Sequence, residues 1–157
     1  MFVLLNFNCY FCKKTENMNR EEFCKILVES RKNSGLSAAD MSFSLKMIYN
    51  SVYRFESAKH NFKMDRVFDY LTVTNSYLVI SMPKKSVKIS SYDEMLKVVV
   101  GFKAKLDISY RKLAEMTGLQ YRTFSFINSK KSIMSIDTFL SIMKAFNCII
   151  SIEPKES

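Results

Sequence analysis

The chain repeats itself once, and this repeat limits the possible folds more than any other feature of the sequence. Sliding the sequence along itself gives a match at an offset of 72 residues, the separation of Ser37 and Ser109. Under this shift Glu22 meets Glu94, and the apolar positions coincide over about 60 residues without a gap. The sequence therefore predicts two similar units in tandem.

Matching helix-start signals support the repeat. The segments NREE and SYDE each place a capping residue, Asn19 or Ser91, three positions before a glutamate, Glu22 or Glu94. This spacing is typical of a capping box, in which side chain and backbone satisfy two otherwise unpaired N–H donors at the start of a helix. A helix is predicted to follow each segment.

Two further helices are predicted in each unit. Ser37 and Ser109 are residues of the type that caps a helix, and each precedes an amphipathic stretch. A third helix is predicted over about 48–56 in the first unit and about 120–128 in the second.

A fourth helix and a strand are predicted to complete each unit. The helix begins near Met64 in the first unit and near Ile136 in the second. The β-branched segments SYLVISM and CIISIEP then predict one strand per unit, and we expect the two strands to share a small sheet. Two interpretations of residues 83–90 stay open: a linker, or a hairpin strand that turns at Pro83.

Composition agrees with a mainly helical fold. The chain has three glycines and two prolines, too few turn-forming residues for a many-stranded sandwich or barrel. The formal net charge of +9 favours an anionic partner such as nucleic acid or an acidic protein. We expect an N-terminal extension over 1–17, a first unit over 18–82 and a second unit over 91–157.

The N-terminal extension differs from the rest of the chain. Its apolar run, in MFVLLNFNCYFCKKTEN, is shorter than the roughly 20 residues that a membrane-spanning helix needs. It also lacks the basic start and small-residue cleavage site of a secretory signal. It is either an element that docks on the rest or the result of a wrong start site, with Met18 as the initiator. A cytoplasmic protein with no membrane partner is expected.

The cysteines give a weak metal signal. Cys9 and Cys12 have CxxC spacing, but a zinc site needs about four ligands, and the single histidine, His60, has no ligand-like neighbour. Reduced thiols, no metal and no cofactor are therefore expected. With no phosphate-binding glycine loop and no nucleophile motif, an enzymatic activity is not predicted.

Each unit resembles the lambda-repressor-like (Cro/xenobiotic-response-element) helix-turn-helix family. In ISYRKLAEMTGLQYRTFSFIN, Leu113 and Ala114 stand at the family's Leu-Ala pair, Gly118 stands in its turn, and Phe124 and Ile127 stand at the buried positions of its recognition helix. The resemblance implies two tandem helix-turn-helix units, and with the strands predicted above the expected fold is mainly α, each unit being followed by a short strand.

The first unit departs further from the family pattern. In LSAADMSFSLKMIYNSVYRFE, Met41 and Ser42 replace the Leu-Ala pair, and Lys46 replaces the turn glycine at a cost of roughly 1 kcal/mol. It keeps the family's glutamate at Glu56, where the second unit has Asn128. Both units lack the glutamine that is common near the start of the second helix.

The resemblance implies DNA-contacting residues at the start of each third helix and just beyond its end. In this family the recognition helix enters the major groove by its N-terminal end. In the second unit the implied contacts are Gln120, Tyr121, Arg122, Ser125, Phe126, Lys130 and Lys131. In the first unit they are Tyr49, Asn50, Tyr53, Arg54 and Lys59.

The function implied by the resemblance is transcriptional regulation through double-stranded DNA, as by a repressor. The two units would act as an intramolecular pseudo-dimer on a non-palindromic site. The alternative is a protein-interaction module or an antitoxin-like protein in which one or both units no longer read DNA. Its partner would be another protein or a second copy of the chain.

Overall fold

A computed structural model describes residues 18–156 of the chain. The prediction of a mainly helical fold with a small sheet is confirmed. The described residues form eight helices and three strands, in the order α1 (Arg20–Asn33), α2 (Ala38–Leu45), α3 (Tyr49–Glu56), α4 (Met64–Val73), β1 (Ser76–Met82), β2 (Lys85–Ile89), α5 (Tyr92–Lys105), α6 (Tyr110–Thr117), α7 (Tyr121–Asn128), α8 (Ile136–Ala145) and β3 (Ile149–Pro154). The interpretations of the N-terminal extension lie outside these residues.

The helix bounds repeat at the offset seen in the sequence. Helices α1 to α4 begin and end 72 residues before α5 to α8, without exception. We call residues 20–82 the first repeat and residues 92–154 the second repeat, and two residues 72 apart are called counterparts. The third helix of each repeat begins one residue later than predicted, because Ile48 and Gln120 are extended N-cap residues.

The predicted capping boxes are confirmed at the start of α1 and corrected at the start of α5. The Asn19 side chain accepts from the Glu22 amide, and the Glu22 carboxylate accepts from the Asn19 amide. Ser91 likewise accepts from the Glu94 amide. The Glu94 carboxylate, however, accepts from the amide of Ser90 at 2.8 Å, one residue before the cap.

The two repeats share one antiparallel sheet with strand order β2-β1-β3, as the expectation of a shared sheet requires. Strands β1 and β3 pair with Val79 opposite Ser151. These two residues are counterparts. The two pairs of facing residues next to them on one side have matching pairs on the other side, formed by the counterparts of those residues. The pairing is therefore unchanged when the two repeats exchange places, which is the behaviour of a two-fold interface.

A second contact between the repeats has the same symmetry. The loops that precede α4 and α8 form a bridge between Lys63 and Ser135, which are also counterparts. The amide of Met64, the residue after the first bridging residue, donates to the Met134 carbonyl at 2.8 Å. The amide of Ile136, the residue after the second, donates to the Phe62 carbonyl at 2.9 Å. The repeats are thus related by a pseudo-two-fold axis that passes near both counterpart pairs.

Strand β2 breaks this symmetry. It pairs with β1 from Ile89 to Lys85, so residues 83–90 form a hairpin and not an extended linker. After β3, the described residues contain no equivalent strand, which leaves β3 at the edge of the sheet.

The core is continuous across both repeats. Buried apolar residues from all eight helices and all three strands pack into one cluster, which includes Phe23, Met64 and Leu78 from the first repeat and Phe139 from the second. The rings of Phe23 and Phe139 lie 6.3 Å apart and join α1 to α8. Among residues 18–156, no helix combines the length and apolar character needed to cross a membrane.

Candidate nucleic-acid interface

The second repeat holds α6 and α7 together through a tight turn and three buried side chains. Gly118 ends α6 with a φ of 71°, a left-handed conformation that glycine adopts without steric cost. Leu113 of α6 and Phe124 and Ile127 of α7 are buried in the core. The anchoring role predicted for Phe124 and Ile127 is confirmed, and the opposite side of α7 is left in solvent.

All seven residues predicted to contact DNA in the second repeat are exposed. Gln120 is the N-cap of α7, Tyr121 and Arg122 lie in its first turn, and Ser125 and Phe126 lie one turn later. Lys131 also reaches solvent. Lys130 differs, because its amine lies 3.5 Å from the Asp93 carboxylate of α5.

A recess lined by residues with polar or charged groups lies at the N-termini of α6 and α7. Its walls are formed by Lys103, Ser109, Tyr110, Arg111 and Tyr121. The Lys103 amine lies 4.4 Å from the centre of the Tyr110 ring, and burial, together with the nearby Tyr121, raises the pKa of the Tyr110 hydroxyl. Tyr110 therefore stays neutral at physiological pH. The recess combines cationic groups with a helix N-terminus, a combination that attracts anions.

Sequence reasoning missed Arg111 and its neighbour Lys112. Both are exposed in the first turn of α6, directly after the cap formed by Ser109. The sequence indicated them by position, because they follow the capping residue Ser109 in the first turn of the helix that ends at the turn glycine.

In the first repeat the equivalent surface has a different character. The predicted residues Tyr49, Asn50, Tyr53 and Arg54 are all exposed on α3. Lys59, which follows α3, is exposed as well, and its amine lies 4.9 Å from the centre of the Tyr53 ring.

Two large apolar side chains add to this surface of the first repeat. Phe43 of α2 is 87% exposed and Ile48, the N-cap of α3, is 72% exposed. Their counterparts, Glu115 and Gln120, are polar. At these two positions the first repeat therefore presents an aromatic and an aliphatic side chain, whereas the second repeat presents an acidic and an amide side chain.

The N-terminus of α2 is closed by a carboxylate. The Asp40 side chain accepts from the Ser37 amide and hydroxyl, each at 2.7 Å. The hydrogen bonds from the Ser37 side chain and then from its amide lower the pKa of Asp40. A negative charge thus already lies at the N-terminus of α2. The counterpart of Asp40 in α6 is a positively charged residue, Lys112.

The turn after α2 confirms a further prediction. Lys46 has a φ of 52°, in the left-handed region where a Cβ is unfavourable. The two repeats thus make the same turn, one with Lys46 and one with Gly118. The sequence had predicted the strain at Lys46 from its place in the aligned repeats.

Behind α3, the first repeat contains a partly buried ion pair. The Arg31 guanidinium donates to both carboxylate oxygens of Glu56, at 2.7 and 3.1 Å, and the Tyr70 hydroxyl donates to the same carboxylate at 2.9 Å. Burial, followed by the charge of Glu56, raises the pKa of Tyr70, so the phenol stays protonated. The counterparts of these residues are Lys103, Asn128 and Ile142.

Residues 18–156 contain no group of three or more histidine, cysteine or acidic side chains that is placed to hold a metal ion. Cys24 and Cys148 are free, and burial raises the pKa of each thiol to about 11. Both are therefore protonated and unreactive at physiological pH. The Cys9 and Cys12 pair lies outside the described residues.

Comparisons of the chain with protein families, with curated proteins and with solved structures found no significant match.

Proposed function

We propose that the protein is a DNA-binding transcriptional regulator in which α6 and α7 of the second repeat contact the double helix. The observation that carries this proposal is the recess at the N-termini of α6 and α7, with its cationic lining residues. Lys103 and Arg111 line it, and Lys112 follows Arg111 in the first turn of α6. Tyr121 and Arg122 lie in the first turn of α7. Two helix N-termini and several cations on one exposed surface fit a phosphate backbone.

The contacts on this surface divide into two kinds. The α6 N-terminus with Arg111 and Lys112 fits phosphate oxygens, which fix the register of a protein on DNA without reading its sequence. The first turn of α7 enters the major groove, where the guanidinium of Arg122 matches the paired acceptors of a guanine. Gln120 and Ser125 supply further hydrogen-bonding groups, and Phe126 supplies an apolar contact for a thymine methyl group.

The pseudo-two-fold relation between the repeats extends this proposal to the first repeat. Helix α3 would approach a second half-site, as the partner helix does in a dimeric regulator. Because the exposed residues of α3 and α7 differ, the preferred site would be asymmetric. The first repeat is the weaker reader of the two, since Asp40 closes the N-terminus of α2 and since alanines, Ala38 and Ala39, replace Tyr110 and Arg111.

The test is selection of bound duplexes from a random DNA pool, followed by affinity measurements at fixed salt. The variant Arg111→Ala/Arg122→Ala is expected to weaken binding to the selected site by about 2–4 kcal/mol and to relax preference at the base that Arg122 contacts. The matched control Arg54→Ala/Lys59→Ala removes the same charge from the first repeat and is expected to have the smaller effect. Equal losses in the two variants, with no selected sequence, would leave only non-specific attraction to a basic protein.

A second candidate function, protein binding by the first repeat, rests on the exposure of Phe43 and Ile48. Large apolar side chains grouped on a surface are typical of interaction sites. The variant Phe43→Asp/Ile48→Asp is expected to abolish self-association in sedimentation velocity if a second copy is the partner. A wild-type chain that stays monomeric at all concentrations would exclude a second copy as the partner. The remaining possibility would be an antitoxin-like role in which this surface binds a different protein.

A further inference from the structure

The second repeat contains an apolar cavity behind α7. Its volume is about 390 Å³, and it opens to solvent between α5 and α7. The buried side chains of Leu113, Phe124, Ile127 and Met134 form its inner wall, and Gly101 of α5 lies at its edge. For comparison, an engineered apolar cavity of about 150 Å³ is large enough for benzene.

The cavity arises from a specific difference between the repeats. At the equivalent place in the first repeat, the Phe55 ring stacks on Tyr70 with centroids 5.1 Å apart, and Arg31 and Glu56 pair beside them. In the second repeat the counterparts of Phe55 and Tyr70 are both isoleucines, so the rings that fill this place in the first repeat are absent. Two aromatic residues of the second repeat, Tyr110 and Phe124, stand instead where the first repeat has Ala38 and Val52, and they line the cavity. The counterpart of Glu29 is Gly101, which has no side chain to cover the opening.

Lysines surround the opening. Lys97, Lys103 and Lys130 line it, and no carboxylate does so. Lys103 donates to the Ile108 carbonyl and Lys130 pairs with Asp93, whereas Lys97 is exposed and has no salt-bridge partner within residues 18–156. The cavity therefore combines an apolar interior with a cationic edge.

We propose that this cavity binds a small amphipathic carboxylate, with its aliphatic body inside and its carboxylate at Lys97. Apolar walls offer water few hydrogen bonds, so replacing water there with hydrocarbon is favourable. The lysines at the edge give the charge complementarity that selects an anion over a neutral molecule of the same shape. Because Phe124 and Ile127 line the cavity from the inner side of α7, ligand binding is coupled to the position of that helix.

The probe is octanoate, compared with its neutral analogue 1-octanol, in isothermal titration calorimetry with the full chain and no DNA. Binding of one octanoate per chain is expected, about tenfold tighter than binding of 1-octanol. Gly101→Leu is expected to abolish binding, because a Cβ at this position meets no atom within 4 Å and the new side chain can enter the cavity. The same substitution removes a glycine from a helix interior, so the melting temperature should not fall.

Matched variants in the first repeat separate this site from general attraction to a basic surface. Glu29→Leu, the counterpart of Gly101→Leu, is expected to leave octanoate binding unchanged. Lys97→Gln is expected to remove the preference for octanoate over 1-octanol, whereas its counterpart Lys25→Gln is expected to retain it. Octanoate binding that survives Gly101→Leu, or that occurs at several sites per chain, would overturn the proposal.

The coupling to α7 rests on the proposed function and has its own measurement. Saturating octanoate is expected to change the DNA affinity of the wild-type chain at least threefold and that of Gly101→Leu not at all. An unchanged DNA affinity in a chain that binds octanoate would overturn the coupling alone. A chain that binds octanoate but not DNA would overturn the proposed function and retain the ligand site.

Discussion

The two repeats have the same helix bounds but differ in the space behind the third helix. In the first repeat, Arg31, Glu56 and Tyr70 fill that space with a hydrogen-bonded ion pair. In the second repeat the same space is an apolar cavity. Both repeats keep the serine cap of the second helix, the left-handed turn after it and the buried anchors of the third helix. The same helix bounds are therefore compatible with two different interiors behind the third helix.

The largest expected effect comes from breaking the ion pair of the first repeat. Glu56→Ala leaves the Arg31 guanidinium, whose side chain is 11% exposed, without its partner. An uncompensated charge in such a place is expected to lower the free energy of unfolding by about 3 kcal/mol. Urea denaturation followed by circular dichroism measures this loss.

The counterpart substitution, Asn128→Ala, is the control. Asn128 is exposed, and its side chain makes no hydrogen bond among the described residues, so a loss below about 0.5 kcal/mol is expected. Similar losses in the two variants would mean that the ion pair does not distinguish the repeats energetically.

Exchanging the charges at the starts of α2 and α6 tests which repeat contacts DNA. Lys112→Asp places a carboxylate at the N-terminus of α6 and is expected to weaken DNA binding about tenfold, or roughly 1.4 kcal/mol. Stability should change by less than about 0.5 kcal/mol, because the gain at the helix end is offset by repulsion from Glu115.

The reverse exchange, Asp40→Lys, opens the N-terminus of α2. If the second repeat is the main reader, fluorescence anisotropy with a labelled duplex should show little change in affinity. A gain as large as the loss in Lys112→Asp would assign DNA contact to both repeats.

A smaller effect is expected from exchanging the turn residues. Lys46→Gly relieves a left-handed backbone and is expected to raise the free energy of unfolding by about 1 kcal/mol, whereas Gly118→Lys should lower it by a similar amount. The midpoints of urea denaturation report both changes. A loss of stability in Lys46→Gly would show that the lysine side chain compensates for its backbone strain.

The smallest expected effect is a shift in one carboxyl titration. Hydrogen bonds from Ser37 lower the pKa of Asp40 below its ordinary value of 3.8. The contribution of the ionised Asp40 to stability is therefore present above pH 3.8 and is lost as the pH falls through the lower pKa of the folded state. In Ser37→Ala, carbon-detected NMR titration should show the pKa of Asp40 returning toward 3.8. Ser109→Ala, the counterpart, should leave the pKa of Asp40 unchanged.

The sequence was sufficient for the features that depend on local chemistry. The caps at Asn19, Ser37 and Ser109 were predicted from residues within one turn of each helix, and the turns at Lys46 and Gly118 were predicted from the aligned repeats. For these caps and turns, a short segment contains all the interacting groups. The shared sheet is different, because it joins strands that are far apart in the sequence. It was expected because a strand was predicted at the end of each repeat.

Apart from the shared sheet, the features that join distant segments were not predicted. The contact between Arg31 and Glu56 depends on the packing of α1 against α3, and the cavity depends on residues from four helices of the second repeat. The sequence alone shows that Glu56 in the first repeat corresponds to Asn128 in the second. It does not show which side chain Glu56 contacts, because that depends on the tertiary packing. The shift of the Glu94 carboxylate to Ser90 similarly depends on the backbone that leaves β2.

The pseudo-two-fold axis near Val79, Ser151, Lys63 and Ser135 has a consequence for assembly. Two separate chains with this interface would dissociate on dilution, because their pairing would depend on concentration. Joined by the β2 hairpin, the halves remain at a fixed and high effective concentration. The pairing is then unimolecular, and each half can accumulate substitutions that its partner does not share. A symmetric pair of identical chains cannot do this, because every substitution appears in both.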